Sequence, residues 1–377
     1  MPRSPSSLAL DLGVLLAVLL LPLLGAVAAG QDLRGLTEFP PPLQLPQPPT
    51  GFSWLAAGAV MLAVALLLAP WWRERRRRAA EPTGRENDPA APPTSAFPWW
   101  GWVAAIWTAG WWTIAWTRFP AFALVQPYTF FPLWLGFIVT VNGFTIARTG
   151  TCLMQRAPRQ WLGLFAASAL FWWLFEWLNR FVQNWHYLGV EDFTPGRYAL
   201  HASVCFSTVL PAVAAVAEAL DSHQSWRQRT RSGPAWPWLR RPVVAWLLLT
   251  AGALGLFGTG MAPRWFYPAL WTAPLLLLLA ARRFAERRSI ADDLARGDWQ
   301  RAATWMAAAL ICGGWWELWN WHSLPKWIYT VPGVQRWHVF EMPLLGYTGY
   351  LPFGLECLLV VERLQAGRWR ERPRSPA

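Results

Sequence analysis

FWWLFEWLNR, residues 171–180, and GGWWELWNWH, residues 313–322, place the same polar pair in two apolar stretches. Glu176 is followed by Asn179 and Glu317 by Asn320, each pair next to adjacent tryptophans. At 3.6 residues per helical turn, a spacing of three keeps the acid and the amide on one face. Glu317 and Asn320 each stand 141 positions after their counterparts. Other landmarks keep nearly the same interval. Thr108-Ala109-Gly110 returns as Thr250-Ala251-Gly252, and Leu210-Pro211 returns as Leu351-Pro352. Phe131-Pro132 with Trp134 returns as Tyr267-Pro268 with Trp271. Chance matching in a Trp-rich chain could make one of these coincidences but not the ordered set. The sequence therefore reads as an internal duplication, with units at 98–222 and 239–364.

The surroundings set the fold class. The 377-residue chain is 54% hydrophobic and only 14% charged, against about 25% charged in soluble domains. Apolar runs recur near 8–29, 51–70, 98–117, 130–147, 161–180, 199–220, 242–260, 265–282, 301–320 and 343–362, each of a length that suits a membrane helix. The expected architecture is an all-α polytopic membrane protein of about ten transmembrane helices. Two N-terminal helices precede two four-helix repeats. Four spans return the chain to its starting side, so the repeats are expected to be parallel, related by a pseudo-two-fold along the membrane normal. The first run also fits a signal peptide, although Asp11 and the unbroken length favour a retained helix.

The net charge of +12 does not point to nucleic acid. The basic residues fall in short segments between apolar runs, and they alternate. Arg148, Arg156 and Arg159, then Arg227 to Arg241, then Arg282 to Arg288, then the tail, lie on one side. The other side is sparse. This is the positive-inside pattern, and it places both termini in the cytoplasm of a plasma (inner) membrane protein. The expected organisation is residues 1–71 as membrane helices with a Pro-rich outer linker, 72–97 as a basic and Pro-rich cytoplasmic linker, the two repeats, and 365–377 as a basic tail. The four cysteines form no CxxC pair, so a cysteine-ligated metal or disulfide framework is not expected. No phosphate-binding loop, dinucleotide fingerprint or haem motif occurs, and no cofactor is expected. Lys326 is the only lysine.

The candidate site collects at one level. Glu176 and Glu317 are its acids, and Asn179 and Asn320 their orienters. Trp173 and Trp316 stand beside them, and His322, His338 and Glu341 lie in a Trp-, Tyr- and Pro-rich outer loop that reads as a folded cap. Glu356 lies well inside the last apolar run, where an acid requires protonation or a partner. Glu317, His322, His338 and Glu341 include metal-binding residue types, but the spacing lacks any helical His/Glu ligand pattern, and no metal is expected. Three functions compete. The first is binding or transport of an apolar or amphipathic small molecule in an outward-facing, Trp-lined pocket between the repeats. The second is a cofactor-independent enzyme using the two glutamates as acid and base on an isoprenoid or lipid-linked substrate. The third is a membrane scaffold whose acids and amides serve only as interhelical glue. Membrane lipid is the one partner common to all three. Sequence does not set the oligomeric state.

Overall fold

The computed structural model describes residues 5–40, 51–80 and 95–364. The Pro-rich outer linker falls largely at 41–50, most of the cytoplasmic linker at 81–94 and the basic tail at 365–377. These expectations lie outside the described residues.

The chain is helical, and each apolar run contains a helix. These are α1 (Pro5–Ala28), α2 (Trp54–Ala80), α3 (Trp99–Trp116), α4 (Phe130–Thr149), α5 (Pro158–Val182), α6 (Pro195–Phe206) with α7 (Val209–Asp221), α8 (Pro242–Met261), α9 (Ala269–Phe284), α10 (Gln300–Trp321) and α11 (Tyr350–Leu364). Among the described residues, six segments are long and apolar enough to cross a membrane: Leu8–Ala28, Phe130–Thr149, Pro158–Val182, Pro195–Asp221, Pro242–Met261 and Leu344–Leu364. The protein is thus all-α in class and membrane-embedded in character. α3 and α10 owe much of their apolar character to Trp, Gly and Ala rather than to Leu, Ile and Val. α2 differs from expectation at its end. It continues through the arginine run to Ala80, because Arg, Glu and Ala are good helix formers and nothing before Pro82 stops the turn.

The helices meet through small residues. In α1, Gly25 faces α8 so closely that a Cβ there would lie 1.9 Å from the Phe257 carbonyl oxygen. Across the seam, a Cβ on Gly260 would lie 1.8 Å from the Pro22 oxygen. Close backbone approach of this kind suits helix pairing in lipid, where packing replaces the hydrophobic drive. The Gln31 side chain donates to the Gly260 carbonyl at 2.8 Å, and Arg363 of α11 pairs with Asp11. The first helix is therefore an integral member of the bundle.

One core runs through α4, α5, α7, α9, α10 and α11. Its middle is aromatic. Trp134 of α4 stacks at a tilt on Trp316 of α10, with centroids 5.1 Å apart, and meets Trp319 edge-on at 5.0 Å. Trp271 of α9 packs on Phe175 of α5 at 5.4 Å. Offset and edge-on pairs are the favoured ring arrangements.

Two short ribbons complete the fold, and the helical reading missed both. β1 (Trp185–Leu188) follows α5, and β2 (Lys326–Tyr329) follows α10. They pair antiparallel, with Trp185 opposite Tyr329 and Tyr187 opposite Trp327. β3 (His338–Val339) and β4 (Met342–Pro343) form a second pair. The loop that read as a folded cap carries β2, β3 and β4. On the opposite end of the bundle, the turn between α9 and α10 is tied by Asp293, which receives Arg288, Arg296 and Arg301.

Replacing Gly25 or Gly260 by Leu is expected to destabilise the bundle by about 1–3 kcal/mol or more through overpacking. Thermal unfolding of the detergent-solubilised protein measures it. Gly13→Leu, at a position with open space around it, should leave the midpoint unchanged. Equal midpoints for all three variants would contradict the seam.

Candidate functional site

Glu176 sits on the buried face of α5, nearly two turns before the helix ends. The chain then turns through Gln183, whose φ of 52° is left-handed, and runs into β1. In a strand, residues two apart share a face, so Trp185 and Tyr187 both reach back to the helix. Glu176 Oε1 accepts from the indole N–H of Trp185 at 3.0 Å, the hydroxyl of Tyr187 at 2.7 Å and the indole of Trp172 at 3.0 Å. Asn179 does not orient the acid. Its amide donates to the Trp185 carbonyl at 2.8 Å, and its oxygen accepts from the Asn184 backbone N–H at 2.7 Å. The acid holds the side chains of the strand, and the amide holds its backbone.

The second pair repeats the scheme. Glu317 Oε1 accepts from Tyr329 at 2.7 Å, from Tyr350 at 3.0 Å and more weakly from the Trp327 indole at 3.4 Å. Asn320 donates to the Trp327 carbonyl at 2.7 Å and accepts from its N–H at 2.8 Å. The shared pattern is Glu, Asn three later, then Trp-x-Tyr on the returning strand. The ribbon pairing is isologous in form: each Trp of one Trp-x-Tyr faces the Tyr of the other. Glu176 is 7% exposed and Glu317 0%. Neither makes an ion pair among the described residues, and Glu317 Oε2 is buried without a partner. Burial, next to Glu176, holds the Tyr187 hydroxyl well above the usual phenol range, and Tyr329 is held up in the same way beside Glu317. Both phenols therefore remain protonated donors. His186, between the two donors of β1, bonds Thr330 at 2.9 Å, and burial pushes its imidazole below the ordinary histidine range.

The six donors share a second property: all of them line one cavity. Its volume is about 130 Å³, similar to a cavity that accepts a single benzene ring. Trp134, Trp271, Trp316 and Trp319 add to the wall, so seven of the lining residues are tryptophan. The wall is almost wholly apolar. Its one fully charged side chain, Lys326, is ion-paired with Glu341. The two glutamates stand behind this wall, one aromatic ring removed.

The residues singled out in the sequence are thus distributed unevenly. Trp316 and Asn320 line the cavity, and Glu176, Asn179 and Glu317 support its wall. Trp173 points elsewhere and donates to Ser203 at 2.9 Å. Glu341 reaches the cavity only through Lys326. His322 packs edge-on against Trp116 at 5.1 Å, and His338 bonds Gln335 on the exposed ribbon. Glu356 is fully buried on α11 and accepts from the Leu275 backbone N–H at 2.9 Å. That donor lies directly after Pro274, inside α9, where a proline disturbs the helical ladder. Among the described residues, no three His, Cys, Asp or Glu side chains converge as metal ligands.

The sequence reading overlooked Trp172, Trp185, Tyr187, Trp327, Tyr329 and Tyr350. The recurring Trp-x-Tyr after each Glu/Asn pair was a usable signal for four of them. Comparison with protein-family models, curated proteins and solved structures returns no match.

Asn320→Ala should remove both ties to Trp327 and leave its N–H unsatisfied, at a cost of about 1–3 kcal/mol. Thr113→Ala, at an exposed helix position bonding only to its own turn, should cost less than about 0.5 kcal/mol. The comparison is read from unfolding midpoints, and equal losses would contradict the anchoring role.

Proposed function

We propose that this protein is a polytopic membrane protein that binds, and in working passes on, an apolar or amphipathic small molecule held in the Trp-lined cavity. In this reading about ten helices span the membrane, both termini are cytoplasmic, and the cavity opens to the outer side. Two four-helix units, α3 to α7 and α8 to α11, stand parallel and meet at the β1–β2 ribbon.

One observation carries the reading. Five of the six wall donors are committed to the two carboxylates behind the wall, and the sixth, the Trp327 indole, donates mainly to the Tyr329 hydroxyl at 2.8 Å and only weakly to Glu317. The rings are fixed in place and turn ring carbon toward the cavity. A preformed apolar cavity with few polar groups is the usual character of a small-molecule site. Three features support the parallel duplication: the acid–amide–strand scheme recurs at a nearly constant interval, the ribbon exchanges Trp for Tyr about its centre, and α4 and α9 each lean on the other unit. Trp134 meets Trp316 and Trp319, and Trp271 meets Phe175 and Trp185. The arginine alternation supports the orientation.

Acid–base catalysis is the weaker reading, because each glutamate already accepts three donors and neither faces the cavity. A pure scaffold would have little use for an open, rigid aromatic cavity, since packed interiors normally close such space.

Ala202 lines the cavity from α6, while Leu200 on the same helix is 70% exposed. Ala202→Phe is expected to fill the cavity and Leu200→Phe to leave it open. Native mass spectrometry of gently extracted protein should find a small-molecule adduct on the unmodified chain and on Leu200→Phe, and none on Ala202→Phe. Retention of the adduct in Ala202→Phe, or its absence throughout, would refute ligand binding at this cavity.

A further inference from the structure

The cavity poses an electrostatic question that apolar burial alone does not answer. Two carboxylates lie directly behind its wall, and among the described residues neither has a cationic partner within ion-pair distance. The nearby cations are engaged elsewhere. Lys326 is neutralised by Glu341. Arg180, four residues after Glu176, attracts it through space but makes no ion pair with it and gives its hydrogen bonds to the Leu36 and Glu38 carbonyls. Arg197 lies over the Phe193 ring, 4.2 Å from its centroid, and donates to Tyr128 at 2.9 Å. Three donors converging on one carboxylate oxygen form the hydrogen-bonded shell that an anion takes, and the other oxygen of Glu317 is left bare. Hydrogen bonds soften a buried charge but do not cancel it, and its field falls off slowly where water is excluded. The space in front of the two acids is walled by indole and phenol rings, whose faces attract positive charge. The aromatic wall alone would suit a neutral hydrocarbon. Aromatic faces and uncompensated acids together suit a cation that carries its own apolar surface.

We propose that the occupant of the cavity is an organic cation of the quaternary-ammonium type, held by the aromatic wall with Glu176 and Glu317 as its counter-charges one ring away. This rests on the ligand-binding reading above and names the chemistry of the ligand. A cavity of about 130 Å³ suits a trimethylammonium-sized head group rather than a long chain. The head group needs no hydrogen bond from the wall, and the wall's bound donors have none to spare. The ammonium charge completes what the chain leaves open, a positive partner for two buried acids.

The test uses the full chain in detergent and two probes of one shape. Choline carries the charge, and dimethylbutanol has carbon in place of the nitrogen. Saturation-transfer NMR titrations give both affinities, with Ala202→Phe reporting non-specific signal. The expected result is that choline binds at least about tenfold more tightly than dimethylbutanol, in line with a desolvated cation–π site. In the double variant Glu176→Gln, Glu317→Gln the acceptors remain but the charge goes, so choline should lose that advantage while dimethylbutanol binds as before. If dimethylbutanol matches or exceeds choline on the native chain, the cation proposal falls and the apolar cavity stands. A choline preference that survives the double variant removes the role assigned to the acids. Binding of neither probe above the Ala202→Phe background overturns the cation proposal. The adduct on the unmodified chain then decides separately whether the cavity binds anything.

Discussion

A carboxylate buried in a membrane bundle must be solvated by the protein itself, and here the solvent is aromatic. Glu176 and Glu317 each accept three hydrogen bonds, and every donor is an indole or a phenol. An acid at helix-interior depth costs about 2.5–3.5 kcal/mol on insertion scales, and losing one partner of a buried charged network costs several more. The acids are therefore tolerable only while the donors stay in place. The donors in turn cannot leave, because their hydroxyl and N–H groups would be stranded. This mutual dependence fixes the positions of six large rings that ordinary packing would leave free to settle inward.

Geometry follows from that constraint. The helix presents one oxygen, and the returning strand answers with alternate residues, since only positions two apart share a strand face. The amide one turn beyond the acid secures the strand backbone. Done twice, with the two strands paired through their edges, this stitches the ends of α5 and α10 together. The rings converge from both sides and hold each other apart, so a cavity persists where two helical layers would otherwise close. The same arrangement moves the acids one layer back. That changes their meaning from reagents to sources of field.

Much of this was legible in the chain. Apolar runs gave the helices because length and hydrophobicity are local properties, and the Glu/Asn spacing gave the shared face because it depends on helix geometry alone. The repetition of Glu176 and Asn179 at Glu317 and Asn320 pointed to the right pair of helices. The partners were harder to see. Tyr350 lies 33 positions from Glu317, and no periodicity links residues brought together only by packing. β1 and β2 were missed because four residues among tryptophans carry little pattern against a helical background. The loop histidines attracted notice by residue type, whereas His322 packs on rings and His338 lies on an exposed ribbon. The extension of α2 through its arginines escaped because a charge run signals topology more loudly than helix propensity.

If the carboxylates organise the wall, acid and donor must be energetically coupled. A double-mutant cycle of Glu176→Ala with Tyr187→Phe, read as unfolding free energies in detergent, measures this directly because each change removes the bond and the coupling excludes effects confined to either residue. The hydrogen-bonded hub predicts a coupling of about 1–3 kcal/mol between the two. Additive single effects, with a coupling near zero, would mean that the acid does not hold the ring, and the cavity's architecture would need another explanation.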